Sequence, residues 1–341
     1  MSEPTRDLKS FLSIVADGGD LTRAEAAQAV DIMMSGAASE VEIAALLMGL
    51  RVKGETVDEI TGAAEAMRAR AKGVSAPAGA VDTCGTGGDG AGTFNISTAA
   101  AIIAAAAGAV IAKHGNRSVS SKSGSADVLT ALGVGLEVDD VQIPRCFDEI
   151  GIAFLFAPRH HAAMRHVAPI RQAMGLRTLF NLLGPLANPA NTKRQIIGVF
   201  DAKWLRPLAQ VLVNLGAEKV WLVHGSDGLD ELTTTGPSVV VEGSAAGLRE
   251  FEVTPEEVGL DRAAPEALVG GDAAANAAAL TALLAGEAGA YRDIAVLNAA
   301  AALVVAGRAD DLKVGAELAA QAVDSGRARQ ILDSWITLTN G

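Results

Sequence analysis

The residues most suited to chemistry lie between Asp82 and Thr98, which run Asp-Thr-Cys-Gly-Thr-Gly-Gly-Asp-Gly-Ala-Gly-Thr-Phe-Asn-Ile-Ser-Thr. Glycines, lacking a Cβ, let a backbone wrap tightly and turn its N–H groups on an anion. A helix expected to start near Asn95 to Thr98 adds unpaired N–H groups, hydroxyls and a positive dipole end. Phosphate or diphosphate is the natural ligand. Gly85, Gly87 and Gly90 also satisfy the G-x-G-x-x-G dinucleotide pattern, which calls for an acid about 20 residues on to hold the ribose hydroxyls. After Asp89 the next acid is Asp127, so that fingerprint is incomplete. A Walker loop needs Gly-Lys-Ser/Thr, and no lysine follows Gly90 or Gly92.

A second block reads Lys113-His114-Gly115-Asn116-Arg117-Ser118-Val119-Ser120-Ser121-Lys122-Ser123-Gly124-Ser125. It offers many donors and no carboxylate. It follows the apolar run Val110–Ala112, expected to be a strand, so both loops should leave one sheet edge, where open α/β sheets bind ligands. Ser123 or Ser125 is placed to cap a helix expected at 126–132. A third element, Gly228-Leu229-Asp230-Glu231, follows the expected strand 220–223. Magnesium takes one or two carboxylates together with waters and substrate phosphates, so a carboxylate pair beside a polyphosphate loop has a use. Arg171 has no acid near it in sequence, and a ligand carboxylate would complement it. His160, His161 and His166 follow no zinc spacing. No G-x-S-x-G nucleophile motif is present.

Charge is spread unevenly. The formal net charge is −12, yet no Asp or Glu occurs from residue 90 to 126 or from 150 to 200. Those windows hold Lys113, Arg117, Lys122, Arg159, Arg165, Arg171, Arg177, Lys193 and Arg194, with four of the five histidines. Such a distribution describes a local anion site within an acidic protein, where the field attracts a small polyanion. It argues against a nucleic-acid or anionic-membrane binder, which needs a broad basic footprint. The longest apolar run, 99–112, falls short of the roughly 20 residues of a membrane-spanning helix. The first ten residues carry no basic-then-apolar leader, and two cysteines, Cys84 and Cys146, make no disulfide framework; a cytoplasmic location is expected.

These loops must be positioned by something. With 341 residues, half of them hydrophobic, two domains are expected. Residues 1–73 read as a helical unit, with a capping box at Thr22 and Glu25 and helices over 41–52 and 57–71. A turn-rich stretch, 72–79, is the expected hinge. From 74 to 341, short apolar runs at 80–83, 110–112, 153–156, 196–200, 220–223 and 239–241 alternate with helical segments. That alternation implies a mostly parallel central sheet flanked by helices, an α/β fold. Residues 160–183 read as helical but broken at Pro169 and Gly175, and helices of 160–190 are expected to pack on the helical unit. Residues 273–332 read as helical.

The motifs 85–89 (Gly-Thr-Gly-Gly-Asp), 95–98 (Asn-Ile-Ser-Thr), the block 113–125, 166–171 (His-Val-Ala-Pro-Ile-Arg), 181–185 (Asn-Leu-Leu-Gly-Pro) and 228–231 (Gly-Leu-Asp-Glu) together resemble those of the anthranilate phosphoribosyltransferases. Residues 46–54 and 297–301 fit as well. The resemblance implies a nucleoside phosphorylase/phosphoribosyltransferase-like fold and a homodimer formed through the helical domain. It implies transfer of phosphoribose from 5-phosphoribosyl 1-diphosphate to the amine of anthranilate, the second step of tryptophan synthesis from chorismate. By that similarity Gly85, Gly88, Asp89, Thr93, Asn95, Ile96, Ser97, Thr98, Lys113, His114, Gly115, Asn116, Arg117, Ser118, Val119, Ser120, Ser121 and Ser125 bind phosphoribosyl diphosphate. Gly85, His114, Asn116 and Arg171 contact anthranilate, and Ser97, Asp230 and Glu231 hold Mg²⁺. No covalent nucleophile or required base is expected. A pyrimidine nucleoside phosphorylase would share the architecture and a similar phosphate loop, but would leave Asp230 and Glu231 without a purpose.

Overall fold

The computed structural model describes residues 7–118 and 122–341. Four helices open the chain, Leu8–Ala16, Arg23–Ser35, Glu40–Lys53 and Val57–Ala69, each started by a side chain that accepts a backbone N–H. Asp7, Thr22, Ser39 and Thr56 are the caps, and the last three form capping boxes with Glu25, Glu42 and Glu59. Such caps satisfy N–H groups that the helix itself leaves orphaned. Glu59 does more: fully buried, it also accepts the Leu21 N–H at 2.9 Å and the Lys53 ammonium at 3.0 Å.

Seven strands follow: β1 Val81–Gly85, β2 Ile111–Gly115, β3 Ile152–Phe156, β4 Arg194–Gly198, β5 Lys219–Gly225, β6 Ser238–Ser244 and β7 Gly247–Val253. They form one sheet in the order β3-β2-β1-β4-β5-β6-β7. The first five run parallel, and β6 and β7 are antiparallel additions. The expectation of a mostly parallel α/β sheet therefore holds. Strand β7 was not anticipated, because Arg249, Glu250 and Glu252 break its apolar run; those charges suit an edge strand, where they discourage pairing with another chain.

Helix Ile96–Ala106 and helix Ala290–Ala306 lie together against one face of the sheet, and nearly every residue of both is buried. The opening helices pack instead with Val167, Ile170, Phe180, Leu183 and Leu186, and this core continues onto Ile197, Val220 and Leu222 of the sheet. Pro169 does not break a helix, as the sequence suggested. It sits in the first turn of Ala168–Met174, where no intrahelical N–H bond is lost, and Gly175 ends that helix with φ +61°.

The helices Arg23–Ser35 and Val57–Ala69 cross at Gly62, where an added Cβ would overlap the Arg23 carbonyl oxygen. Gly to Ala inside a helix ordinarily stabilises by about 1 kcal/mol. Here Gly62→Ala should lower the melting temperature, because backbone, not a flexible side chain, would have to give way; thermal unfolding of the variant checks this.

Candidate active site

The carboxyl ends of the parallel strands converge. β1 leads into the glycine loop, β2 ends in Lys113-His114-Gly115, and the turn after β5 carries Asp230 and Glu231. Gly85 and Gly198 face each other in register at the ends of β1 and β4. Asp230 lies directly on them: a Cβ on Gly85 would stand 2.5 Å from Asp230 Oδ2, and one on Gly198 would overlap the Asp230 carbonyl oxygen. The two glycines are the floor that lets an acidic turn descend onto the sheet.

From there each carboxylate reaches a different element, the glycine loop or the start of the helix that follows it. Asp230 Oδ2 accepts the Gly87 N–H at 2.8 Å, and Glu231 Oε1 accepts the Ser97 N–H at 3.0 Å, at the start of helix Ile96–Ala106. Burial, then the neighbouring Asp89, pushes the Asp230 carboxyl up to about 7. Burial, then Asp230, pushes Glu231 well above the usual carboxylate range. Lys113, only 1% exposed, donates to the Thr83 carbonyl and, at 3.1 Å, to Ser97 Oγ. Burial lowers its pKa, with Asp82, Glu231 and Asp230 opposing.

Two crowded carboxyls that burial holds back from ionising would ionise more readily beside a dication. The oxygen-only donors, Asp230, Glu231 and the Ser97 hydroxyl, suit a hard cation such as Mg²⁺. Among the described residues no group of three His, Cys, Asp or Glu side chains could hold a metal ion.

The start of helix Ile96–Ala106 is built by other means than a side-chain cap. Asn95 makes no capping bond; its amide donates to the Ser123 carbonyl at 3.2 Å, and its Oδ1 accepts from Asn276 at 3.0 Å. Thr93 forms a β-bridge with Val269, holding the far side of the glycine loop. The buried Thr98 hydroxyl has no partner among the described residues. Arg177, which no local motif marked, donates to the Gly88 carbonyl and lies 4.0 Å over the Phe200 ring. A cavity of about 670 Å³ lined by Arg51, Arg177, Phe200 and Trp204 adjoins this contact. The one hint in the sequence was the acid-free window that Arg177 shares with Arg171.

The second block differs from expectation in two ways. Neither Ser123 nor Ser125 caps the next helix, Ser125–Ala131; Gly124 takes that position, and Asp127 Oδ2 accepts both the Gly124 and Ser118 N–H groups, at 3.0 and 2.9 Å. Arg117 pairs with Asp127 at 3.1 Å, so its charge is already partnered. The Asn116 carbonyl accepts the Ala126 N–H at 3.2 Å, folding the block back toward β2. Val119, Ser120 and Ser121 lie outside the described residues.

His114 and His161 lie with ring centres 5.2 Å apart. Burial, then His161, holds His114 at about 3, and burial, then His160, holds His161 at about 4. Arg171, on the helix Ala168–Met174, has a buried Nε without a partner and forms no ion pair among the described residues; burial lowers its pKa. Its guanidinium lies 5.7 Å from the Phe180 ring.

A glycine loop, a buried lysine and an acidic doublet meet at the carboxyl ends of a parallel sheet flanked by a helical unit, and the chain is of the glycosyltransferase class. Residues 9–71 match the glycosyl transferase family helical bundle domain and residues 77–329 its a/b domain. An anthranilate phosphoribosyltransferase of Parvibaculum lavamentivorans is 58% identical, with 98% of each chain covered. The crystal structure of the Thermus thermophilus enzyme of that name matches at TM-score 0.91 and 44% identity over 97% of this chain and 99% of its own. The Saccharomyces cerevisiae enzyme, solved in complex with phosphoribosyl diphosphate and Mg, matches at TM-score 0.89 and 28% identity over 97% of each. The chain belongs to the anthranilate phosphoribosyltransferase family. No described helix is long and apolar enough to cross a membrane.

Two outcomes follow from this geometry. Gly198→Ala must lift Asp230, and displacements of about 1 Å can cost 100-fold in rate; kcat/KM should fall by about that factor in a folded variant. For the histidines, the folded pKa lies below the unfolded 6.5, so the unfolded chain binds more protons between pH 6.5 and 4. Stability is full above pH 6.5 and is lost as pH falls, by on the order of 3 kcal/mol from His161 at pH 4. His161→Gln should flatten the melting temperature between pH 7 and 4.

Proposed function

We propose that Asp230, Glu231, Lys113 and the glycine loop carry the reaction of this family, transfer of phosphoribose from 5-phosphoribosyl 1-diphosphate to the amine of anthranilate. The single observation behind this assignment is the joining of Asp230 to Gly87 and of Glu231 to Ser97, which ties the acidic turn to both phosphate-binding backbones.

Breaking the bond from ribose to diphosphate leaves cationic character on the sugar and added negative charge on the departing group. Backbone N–H groups of Gly88 and Asp89, with the Lys113 ammonium, are donors for that charge, those of Thr86, Gly87, Ile96, Ser97 and Thr98 being bonded within the protein. Mg²⁺ held by Asp230, Glu231 and Ser97 would neutralise the diphosphate further. The helix that begins at Ile96 aims its positive end at the same region. Thr98 brings a buried hydroxyl with no partner among the described residues, which suits a phosphate oxygen.

The acceptor amine carries a free electron pair and needs no deprotonation before attack, so orientation supplies much of the rate. Burial keeps His114 and His161 neutral at physiological pH, and a neutral ring can line an aromatic site without repelling the developing sugar cation. Arg171, half-buried and without a carboxylate partner among the described residues, is assigned to the anthranilate carboxylate, with Asn116, His114 and Gly85 nearest the ring. Arg117, paired with Asp127, contributes through its backbone.

The same reading takes residues 1–73, with 160–190 upon them, as one lobe and 74–341 as the other, the substrates meeting between them. It takes the helical lobe as the contact of a homodimer and the cytoplasm as the place of work. A phosphorolytic role is disfavoured by the acidic turn, which a free phosphate would not require.

Loss of anthranilate fluorescence on mixing protein, phosphoribosyl diphosphate and Mg²⁺, with each omitted in turn, tests the assignment. Arg171→Ala should raise the anthranilate KM by roughly 10- to 150-fold, the loss of a charge-assisted bond of about 1.5–3 kcal/mol, and leave the KM for phosphoribosyl diphosphate unchanged. An unchanged anthranilate KM removes Arg171 from the site.

A further inference from the structure

Asn298 is a buried amide in the middle of the apolar helix Ala290–Ala306. Burying an amide is costly unless its groups find partners, and here one neighbouring peptide supplies most of them. Asn298 Oδ1 accepts the Leu232 N–H at 3.0 Å, while Nδ2 donates to the Leu232 carbonyl at 2.8 Å and to the Ile294 carbonyl at 2.9 Å. Leu232 directly follows Glu231. On the other side of the doublet, Asp227 accepts the Leu229 N–H at 3.2 Å and the hydroxyls of Thr233 and Thr235 at 2.6 Å each. Asp227 thus closes the turn on itself, whereas Asn298 fixes it to a helix of the core.

The same helix also holds the opposite wall of the site. Tyr291, seven residues earlier and so on the same helix face, donates its hydroxyl to the Asn95 carbonyl at 3.2 Å and stacks on Phe94 at 4.4 Å. One helix face therefore anchors both the peptide that carries Glu231 and the start of the helix that carries Ser97. The 3.0 Å contact between Glu231 and the Ser97 N–H closes the gap between those two anchors.

We propose that Asn298 is a positioning residue for the divalent cation: its two bonds to the Leu232 peptide set where Asp230 and Glu231 stand relative to Ser97. This rests on the assignment of Asp230 and Glu231 as the cation's carboxylates. Residues that orient metal ligands in this way typically contribute 10- to 100-fold in metal affinity.

The test is Mn²⁺ binding to the full chain with inorganic diphosphate, read from the electron paramagnetic resonance signal of free Mn²⁺. Asn298→Ala should raise the Mn²⁺ Kd about 10- to 100-fold while leaving the anthranilate KM unchanged. Asn298→Ser, whose hydroxyl can turn back to the Ile294 carbonyl but not span the Leu232 peptide, should do the same and serves if the alanine variant does not fold. Leu303→Ala, a buried apolar change on the same helix, should lower the melting temperature without moving the Kd. Wild-type Mn²⁺ affinity in the Asn298 variants, alongside weakened binding in Glu231→Gln, overturns the proposal and spares the carboxylate assignment. Equal weakening by Leu303→Ala also overturns it. Wild-type affinity in Glu231→Gln overturns the carboxylate assignment itself, and the role of Asn298 with it.

Discussion

Two carboxylates held out of water against one another are the constraint around which the rest of this molecule is arranged. Asp230 and Glu231 resist ionisation because burial opposes it, reinforced by Asp89 at Asp230 and by Asp230 at Glu231. Folding tolerates them because each accepts a backbone N–H and because Lys113 is buried beside them. That resistance is the useful part: on the proposed reading a dication would let both carboxyls ionise, which couples the acidic turn to a cation.

That constraint explains otherwise separate features of the fold. The turn can reach the strand ends only where Gly85 and Gly198 leave room. The glycine loop is held at several points: Thr86 N–H donates to the Gly198 carbonyl at 2.8 Å, Gly87 donates to Asp230, and the Gly88 carbonyl accepts Arg177. Arg51, at the end of a helix of the opening unit, donates to the Arg177 carbonyl, so a path of hydrogen bonds runs from the helical residues to the phosphate loop. The buried histidines stand where the chain passes from one unit to the other: His160 Nδ1 lies 2.9 Å from the Lys72 carbonyl, and the Lys72 N–H donates to the His160 carbonyl. The helical residues and the sheet are thereby joined by polar contacts at Lys72 and His160 and by a shared apolar core.

Much of the site was legible in the chain because its physical demands are local. A run of glycines beside a strand, a block of hydroxyls and cations without acids, and an acidic pair after a strand each carry their own chemistry. Other parts were not legible, because they depend on partners far away in sequence. Arg117 looked free until Asp127, ten residues on, folded back to it. The serine caps looked reasonable until the same Asp127 took the N–H groups instead. Arg177 meets Gly88 across 89 residues. Strand β7 was hidden by the charges that an exposed edge permits.

The sequence alone determined the inventory and its order: which residues can bind phosphate, which can bind a dication, which arginine lacks a counter-charge, and that strands alternate with helices. These follow from side-chain chemistry and short-range periodicity, neither of which needs a neighbour. Only the tertiary structure decided which of those groups face one another. Burial sets the ionisation of Asp230, Glu231, His114 and Lys113, and burial is a property of the packed sheet and helices. So is the grip of Asn298 on Leu232, 66 residues apart in the chain, because a hydrogen bond of that reach exists only after the core has closed.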